Sequence, residues 1–247
     1  MSEPSYTLLA VDDNELNLGL FRMFLTQLGH QVTALNNPFD AIDLVPQQAF
    51  DMIFTDVQMP GMTGIEAAAR IRDIGYEGPI VAITAHLSNI EEDELASSNI
   101  NGFLIKPVTK QDLIRIIAEQ LQGQTPVAGE QLQRTPVVTG QNIYDLELAL
   151  HRANQSPELA AEMMQLLGES LTETKPLLNS DNVETLDQDL HKLTGGVRYS
   201  GASRLEQYLE ETRKKLGENV PINLEQLHVE LQLVIDWIAD NPEAFKS

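Results

Sequence analysis

The chain has 247 residues, enough for two domains of ordinary size, and its 16 Lys and Arg residues against 37 Asp and Glu residues give a formal net charge of −21. So acidic a chain is a poor candidate for binding nucleic acid or an anionic membrane surface, because both require a basic face. It contains no cysteine, which excludes disulfides and thiolate metal sites, and the lack of a long apolar run or a signal peptide predicts a cytoplasmic protein without direct membrane insertion.

The first half of the chain alternates short apolar runs with amphipathic stretches, which is the pattern of a parallel α/β sheet. The apolar runs predict five strands, at 7–11, 31–34, 52–55, 80–84 and 102–105. Helices are predicted between and after them, at 15–28, 38–45, 64–72, 90–97 and 110–121. Three strands are apolar without alternation, as strands covered on both faces are. Residues 1–122 are therefore expected to form a doubly wound, flavodoxin-like, five-stranded parallel sheet.

Residues 123–140 interrupt this pattern with prolines, glycines and little apolar content, which predicts a flexible linker. After it the strands disappear, and amphipathic stretches predict helices at 144–151, 157–178, 183–199, 204–216 and 224–241. The second of these carries one apolar stripe, formed by Leu159, Met163, Leu166, Leu167 and Leu171. Residues 141–247 are therefore expected to form an all-α helical bundle.

Polar side chains follow four of the five predicted strands. Asp12 and Asp13 come after the first strand and Asp56 after the third, whereas Thr84 ends the fourth and Lys106 follows the fifth. Because the carboxyl ends of parallel strands meet at one edge of the sheet, these groups are expected to lie together. Adjacent carboxylates repel one another unless a cation joins them, and oxygen ligands of this kind suit Mg²⁺ or Mn²⁺. With a divalent ion and the Lys106 ammonium, such a pocket would reach neutrality and could admit a phosphoryl group.

Each of these residues also has a simpler interpretation when taken alone. An Asp after a strand is very often a helix N-cap or turn residue. Lys106, before a proline, could be a solvated loop charge, and Thr84 could be an ordinary β-branched strand residue. The functional interpretation depends on their joint occurrence at the ends of successive strands.

The segments VDDNELN, FTDVQMPGMTG, VAITAH and FLIKPV resemble the four signature segments of the response-regulator receiver domain, over residues 5–122. This resemblance implies that Asp56 is the phosphoryl acceptor. It also implies that Asp13, Asp56 and the backbone carbonyl of Gln58 bind Mg²⁺, with Asp12 helping through water. A carboxylate that attacks phosphorus needs a metal and an ammonium group to neutralise developing charge, which agrees with this assignment.

The same resemblance implies roles for three further residues. Lys106 pairs with the phosphoryl oxygens, while Thr84 and Phe103 form a conformational switch. Thr63 stands where this loop commonly carries an acidic residue, and we expect that difference to change little about the chemistry.

One of the five histidines stands in an unusual context. His191, Gly195 and Arg198 fall at i, i+4 and i+7 of a predicted helix, on one face. Two consecutive glycines inside a helix each cost about 1 kcal/mol against Ala, and leaving an imidazole uncrowded for a partner's surface would be a reason for them. Lys192 and Arg198 supply positive charge for a phosphoryl group. Alternatively, His191 is an ordinary helix histidine, and the glycines merely permit tight helix packing.

The segment HKLTGGVRYSGA resembles the signature of histidine-phosphotransfer (HPt) domains, and Gly201 with Ala202 fits its later glycine pair. Thr194 stands where Lys is common and Gly196 where Ser is common, so Lys192 would contribute more of the phosphate stabilisation. A receiver followed by an HPt domain resembles the C-terminal half of tripartite hybrid sensor kinases of the BarA/GacS type.

These resemblances imply a phosphorelay in bacterial two-component signalling. Asp56 would receive a phosphoryl group from an upstream histidine kinase, and His191 would pass it to the receiver of a downstream response regulator. No kinase glycine-rich box or Walker loop is visible in the chain, so autokinase activity is not expected from it, although it could be a piece of a sensor kinase.

Two alternatives remain open at this stage. Phosphorylation of Asp56 could instead alter a docking surface, with the helical half acting as an effector. An aspartate-nucleophile hydrolase is disfavoured, because such enzymes usually place a second Asp where Gln58 stands.

Overall fold

The computed structural model describes residues 4–85, 100–123, 142–178, 183–218 and 220–245. Its contacts divide the chain into two compact units, residues 1–132 and 133–247. The predicted helix at 90–97 and, apart from Gly123, the predicted linker lie outside the described residues. Within the described part of the chain, no helix is both long and apolar enough to cross a membrane.

The first unit contains a parallel sheet. Its five strands are β1 (Thr7–Val11), β2 (Gln31–Leu35), β3 (Met52–Asp56), β4 (Ile80–Thr84) and β5 (Gly102–Ile105). They lie in the order β2-β1-β3-β4-β5, and every neighbouring pair is parallel. This is the flavodoxin-like order, and the prediction of a five-stranded parallel sheet is confirmed. The direction of the strand order reverses between β1 and β3, which opens a crevice at their carboxyl ends.

Helices flank this sheet, and four of them lie in the described residues: α1 (Glu15–Gln27), α2 (Pro38–Leu44), α3 (Gly64–Asp73) and α4 (Lys110–Gln122). Helix α1 packs against α4, and α2 packs against α3, so the helices form two pairs. Strands β3 and β4 are buried at every position, which explains why their sequences are apolar without alternation.

Local sequence signals set where these helices begin. The Asn14 side chain accepts hydrogen bonds from backbone amides in the first turn of α1. Thr63 and Glu66 form a reciprocal capping box at the start of α3. Thr63, which stands where the resembling loop commonly carries an acidic residue, therefore serves as the N-cap of α3. An equivalent box, between Thr109 and Asp112, begins α4.

The second unit is helical throughout its described part. Its elements are α5 (Leu146–Arg152), α6 (Pro157–Thr174), a 3-10 turn (Lys175–Leu177), α7 (Val183–Val197), α8 (Ser203–Gly217) and α9 (Leu224–Asp240). The four long helices contact one another in the cyclic order α6, α7, α8, α9, so each has two neighbours in a closed ring. Helix α5 packs on α6. The ring buries the apolar side chains of Leu167, Leu171, Leu190, Val197, Leu209 and Leu231.

The beginning of the helical unit differs from the prediction. Helix α5 starts at Leu146 rather than at residue 144, because Asp145 is its N-cap and accepts a hydrogen bond from Leu148 N. Tyr144 is buried instead, and its ring stacks on that of Trp237 with the centroids 4.6 Å apart. Aromatic burial, rather than helical periodicity, therefore determines the conformation at Tyr144.

Gly201 fastens this beginning to the turn between α7 and α8. Its carbonyl accepts a 2.8 Å hydrogen bond from Asp145 N. A Cβ atom at position 201 would lie only 2.2 Å from the Asp145 carbonyl oxygen and 2.8 Å from a Tyr144 ring carbon. The two backbone segments approach so closely that only glycine fits.

Candidate functional site

Three carboxylates meet at the crevice between β1 and β3. Asp56 is the last residue of β3, and Asp12 and Asp13 directly follow β1. One oxygen from each of these three side chains lies within 4.8 Å of the others. Asp12 and Asp56 are 3% and 2% exposed, whereas Asp13 is half-buried. The structure thus gathers the predicted acidic residues into one pocket that opens to solvent on the Asp13 side.

Lys106 joins two of these carboxylates. Its Nζ atom lies 3.0 Å from Asp12 Oδ2 and 2.9 Å from Asp56 Oδ2, and the side chain is buried. The main chain holds it there, because Lys106 N donates a 2.8 Å hydrogen bond to the carbonyl oxygen of Thr84 at the end of β4. The peptide bond between Lys106 and Pro107 is cis.

Burial and neighbouring charges both act on the carboxyl group of Asp56. Burial raises the pKa of this carboxyl group to about 7, and the charges of Asp12 and Asp13 add to the increase, while Lys106 opposes it. Three carboxylate oxygens close together are the hard donor set that Mg²⁺ and Mn²⁺ prefer. The residues present therefore fit a divalent cation.

Sequence reasoning missed one polar residue of this pocket, Asn17 in the first turn of α1. Its Nδ2 atom donates hydrogen bonds to both carboxylate oxygens of Asp12, at 3.1 and 2.9 Å. Asn14 N donates to Asp12 Oδ1 at 2.9 Å. Asn17 follows the first carboxylate by five residues, and this spacing in VDDNELN was its only sequence signal.

Gly64 was also missed, although it determines how closely α3 approaches the pocket. A Cβ atom at this position would lie 2.0 Å from the carbonyl oxygen of Asp56 and 2.8 Å from Thr55 Oγ1. Gly64 N donates to the carbonyl of Val57, which closes the loop after β3. The loop that carries Asp56 and Gln58 can therefore adopt this shape only with glycine at position 64.

The remaining residues predicted for the receiver site lie around this pocket. Thr84 is buried at the carboxyl end of β4. Phe103, on β5, is partly buried and packs against the small cluster formed by Val57, Ile65 and Ala82. Gln58 is exposed in the loop after β3, two residues beyond Asp56.

The predicted residues of the helical unit lie on or directly after α7. His191 and Lys192 are half-buried, and Gly195, one turn later, is buried. Thr194, which stands where a Lys is common in the resembling signature, is buried and donates a 2.7 Å hydrogen bond to the carbonyl of Leu190. A charged side chain would not be accommodated at position 194 without rearrangement.

Arg198 takes part in an ion-pair network with α8. Its guanidinium lies 2.7 Å from Glu210 Oε1 and 3.9 Å from Glu206 Oε1. Glu206 also pairs with Arg152 of α5 at 2.9 Å. This network, which sequence spacing did not predict, therefore links the residue after α7 to helices α5 and α8.

Comparison with known proteins identifies the first unit. Residues 8–118 match the family model of the response regulator receiver domain. Together with the sheet order and the acidic pocket, this match shows that the first unit is a receiver domain.

Two relatives match along most of this chain. It is 31% identical to the sensor protein GacS of Pseudomonas syringae pv. syringae over 92% of its length, and 29% identical to the signal transduction histidine-protein kinase BarA of Escherichia coli K12 over 95%. Matches of this extent include the helical unit as well as the receiver domain. Each covers 26% of the relative, so the chain spans about a quarter of the length of the curated relatives it matches.

Among solved structures, the receiver domain of the sensor histidine kinase PA1611 from Pseudomonas aeruginosa PAO1 is 28% identical. The match covers 47% of this chain and 98% of that one, with a TM-score of 0.44. That structure has a magnesium ion coordinated in its active site cleft.

Proposed function

We propose that this chain is a phosphorelay module in which Asp56 accepts a phosphoryl group from a histidine kinase and His191 passes it to a downstream receiver. The observation that carries the proposal is the arrangement of Lys106 between the buried carboxylates of Asp12 and Asp56. A buried ammonium with two carboxylates is expensive to desolvate and is a weak way to stabilise a fold. Such an ammonium group is well suited to pairing with a dianionic phosphoryl group.

In the first transfer, a carboxylate oxygen of Asp56 attacks the phosphorus in line with the donor's imidazole nitrogen. The new bond is the mixed anhydride of Asp56, the P–N bond breaks, and the leaving imidazole takes its proton from solvent. Asp13, Asp56 and the backbone carbonyl of Gln58 would hold Mg²⁺ or Mn²⁺, with Asp12 contributing through water. The ion supplies neutralisation of the charge on the equatorial phosphoryl oxygens.

The other pocket residues respond to the phosphoryl group once it is on Asp56. Lys106 Nζ already lies 2.9 Å from the attacking carboxylate of Asp56, so it can pair with a phosphoryl oxygen after a small movement. The hydroxyl of Thr84, at the end of the adjacent strand, would hydrogen-bond another oxygen. Phe103 of β5 packs beside Ala82, which lies on β4 together with Thr84. A shift of Thr84 would therefore alter the packing of Phe103.

In the second transfer, a ring nitrogen of His191 attacks the phosphorus on Asp56 and the carboxylate leaves. Both the acyl phosphate and the phosphoramidate are activated, so the transfer can run in either direction. Lys192 and Arg198 would balance the charge of the phosphoryl group. Gly195 has no side chain that could crowd a partner one helical turn from the imidazole. Because Arg198 already pairs with Glu206 and Glu210, its contribution depends on how strongly these carboxylates hold it.

The similarity to GacS and BarA, which extends into the helical unit, supports an HPt role for residues 141–247. The cyclic four-helix arrangement, with His191 on one of the long helices, supports the same role. By this similarity, we infer that the module works in a bacterial pathway of hybrid sensor kinases and in the cytoplasm.

Labelling of the full chain by acetyl phosphate tests the proposal. We expect incorporation only with Mg²⁺ or Mn²⁺, and none in the Asp56→Asn variant. Label on Asp56 is lost in alkali, whereas label on His191 is lost in acid, so the two sites can be distinguished chemically. The His191→Gln variant should keep the alkali-labile label and lose the acid-labile one. Equal incorporation in excess EDTA, or label that survives in Asp56→Asn, would contradict the assignment of the receiver site.

The alternative function, a docking module with a helical effector, predicts a different outcome. In that case the His191→Gln variant binds its partner and shows the same label as the wild type, because no phosphoryl group ever reaches the helical unit. Absence of an acid-labile label in the wild type would therefore favour docking over relay.

A further inference from the structure

The Asp12 carboxylate is surrounded by donors to an extent that capping of α1 does not require. Its two oxygens accept from Asn14 N, from Lys106 Nζ, and twice from Asn17 Nδ2. The amide of Asn17 is therefore the group that spans both oxygens at once. Asn17 itself is 1% exposed, so hydrogen bonds from its NH₂ group to Asp12 replace the hydrogen bonds that it would make to water.

The orientation of the Asn17 amide follows from its partner. A carboxylate only accepts hydrogen bonds, so the NH₂ group, rather than the carbonyl oxygen, must face Asp12. This leaves Asn17 Oδ1 buried and without a hydrogen-bond partner among the described residues. An unsatisfied buried acceptor destabilises the fold, so folding alone does not account for an amide at this position.

The donors around Asp12 also limit what this carboxylate can do. An ionised carboxyl group offers about four lone-pair positions, and Asn14, Asn17 and Lys106 already direct four hydrogen bonds at them. Direct ligation of a cation by Asp12 would require one of these to break. The donors around Asp12 therefore favour Asp13 and Asp56 as direct ligands, with the Asp12 carboxylate fixed beside them.

We propose that Asn17 is a positioning residue of the metal site, which fixes the Asp12 carboxylate so that a divalent cation binds to Asp13 and Asp56 with Asp12 beside it. The inference rests on the proposed function, because it needs the acidic pocket to bind a cation. Residues that orient a neighbour of the metal typically change metal affinity by about 10- to 100-fold when they are replaced. Asn17 acts through Asp12 and does not touch the reacting atoms.

Binding of Mn²⁺ alone to the full chain, followed by the electron paramagnetic resonance of the free ion, tests this role without any phosphoryl transfer. Asn17→Leu keeps the size of the side chain and removes the amide, and we expect Mn²⁺ binding about 10-fold weaker than in the wild type. In the Asp12→Asn background the same replacement should weaken binding less than about twofold, because the carboxylate it positions is gone. If Asn17→Leu does not fold, Asn17→Ala is measured against the same two expectations.

Asn37→Ala is the matched control. Asn37 caps α2 through a hydrogen bond from Phe39 N, so its loss destabilises the same domain without touching the pocket. We expect wild-type Mn²⁺ affinity for this variant. Unchanged affinity in Asn17→Leu, an equal loss in the Asp12→Asn background, or an equal loss in Asn37→Ala would each overturn the inference. Failure of the wild-type chain to bind Mn²⁺ would instead overturn the metal site of the proposed function.

Discussion

Burial affects Asp56 more strongly than any single neighbour does. Its carboxyl group lies under the sheet edge, where removal from water is the largest cause of its raised pKa, and Asp12 and Asp13 contribute less. The Lys106 ammonium offsets only part of this effect. The residue proposed to attack phosphorus as a carboxylate therefore lies in surroundings that favour its neutral form, and added positive charge would favour the ionised form.

The raised pKa of Asp56 predicts that the stability of the receiver domain depends on pH. The pKa of Asp56 is about 7 in the folded protein against 3.8 for the free group, so the folded state binds more protons between these values. Stability is then lost as the pH rises from about 4 to 7. Without divalent ions, Asp56→Asn should stabilise the receiver domain at pH 8 by about 2 kcal/mol. A shift of three pKa units corresponds to about 4 kcal/mol, and we expect roughly half of it because Lys106 loses one of its two carboxylate partners.

Differential scanning calorimetry of the full chain would measure this effect. The receiver transition of Asp56→Asn should lie about 5 to 10 °C above that of the wild type at pH 8 and close to it near pH 4. The transition of the helical unit serves as an internal control and should not move. A variant that is less stable than the wild type at pH 8 would show that Asp56 is not destabilised by its surroundings.

At the scale of elements, the turn between α7 and α8 depends on the absence of a side chain at position 201. Gly201→Ala would place a methyl group against the Asp145 carbonyl, and we expect a loss of about 1–3 kcal/mol from the helical unit. Gly217→Ala, in the last turn of α8, meets nothing within 4 Å and should leave stability within about 1 kcal/mol of the wild type. Thermal unfolding followed by circular dichroism at 222 nm compares the two variants, and equal effects would contradict the close approach.

The ion pairs between Arg198 and α8 predict an adjustable rate of transfer. Glu210 is half-exposed and pairs with Arg198 at 2.7 Å, so Glu210→Gln should release the guanidinium and raise the positive potential near His191. Exposed ion pairs contribute about 0.2–1 kcal/mol, which corresponds to a roughly 1.4- to 5-fold faster appearance of the acid-labile label. Glu211→Gln changes the net charge equally one residue away and should have no effect beyond error. Equal acceleration in both variants would show that overall charge, rather than Arg198, is responsible.

The elements and the acidic pocket could be predicted because they follow from local rules. Apolar runs, caps and the meeting of parallel strand ends depend on residue type and spacing, and the bounds of the strands agree to within one residue. Asn17, Gly64 and the pairing of Arg198 could not be predicted in this way. Each depends on which backbone or side chain arrives from another part of the fold, and spacing along the sequence does not encode that distance.

For the whole molecule, the predicted linker determines whether transfer occurs within one chain. Residues 123–140, even fully extended, span at most about 60 Å. Over such a tether the effective concentration of one site at another is of the order of mM, which exceeds micromolar protein. We therefore expect transfer from Asp56 to His191 to be first order and independent of protein concentration.

Mixing two variants tests this expectation. An Asp56→Asn chain together with a His191→Gln chain can transfer only between molecules, and the acid-labile label should then appear much more slowly and in proportion to concentration. The intact chain at the same total concentration is the control. Equal rates in the mixture and the intact chain at micromolar concentration would mean that transfer takes place between chains.

The stacked pair of Tyr144 and Trp237 makes the helical unit optically distinct. Trp237 is the single tryptophan of the chain, and it lies half-buried on α9 against the buried Tyr144 ring. Its emission on selective excitation near 295 nm is thus an intrinsic fluorophore signal from the helical unit alone. A red shift of this emission during denaturation would report the separation of α9 from the Tyr144 segment before α5. The receiver domain, which has no tryptophan, would not contribute to the signal.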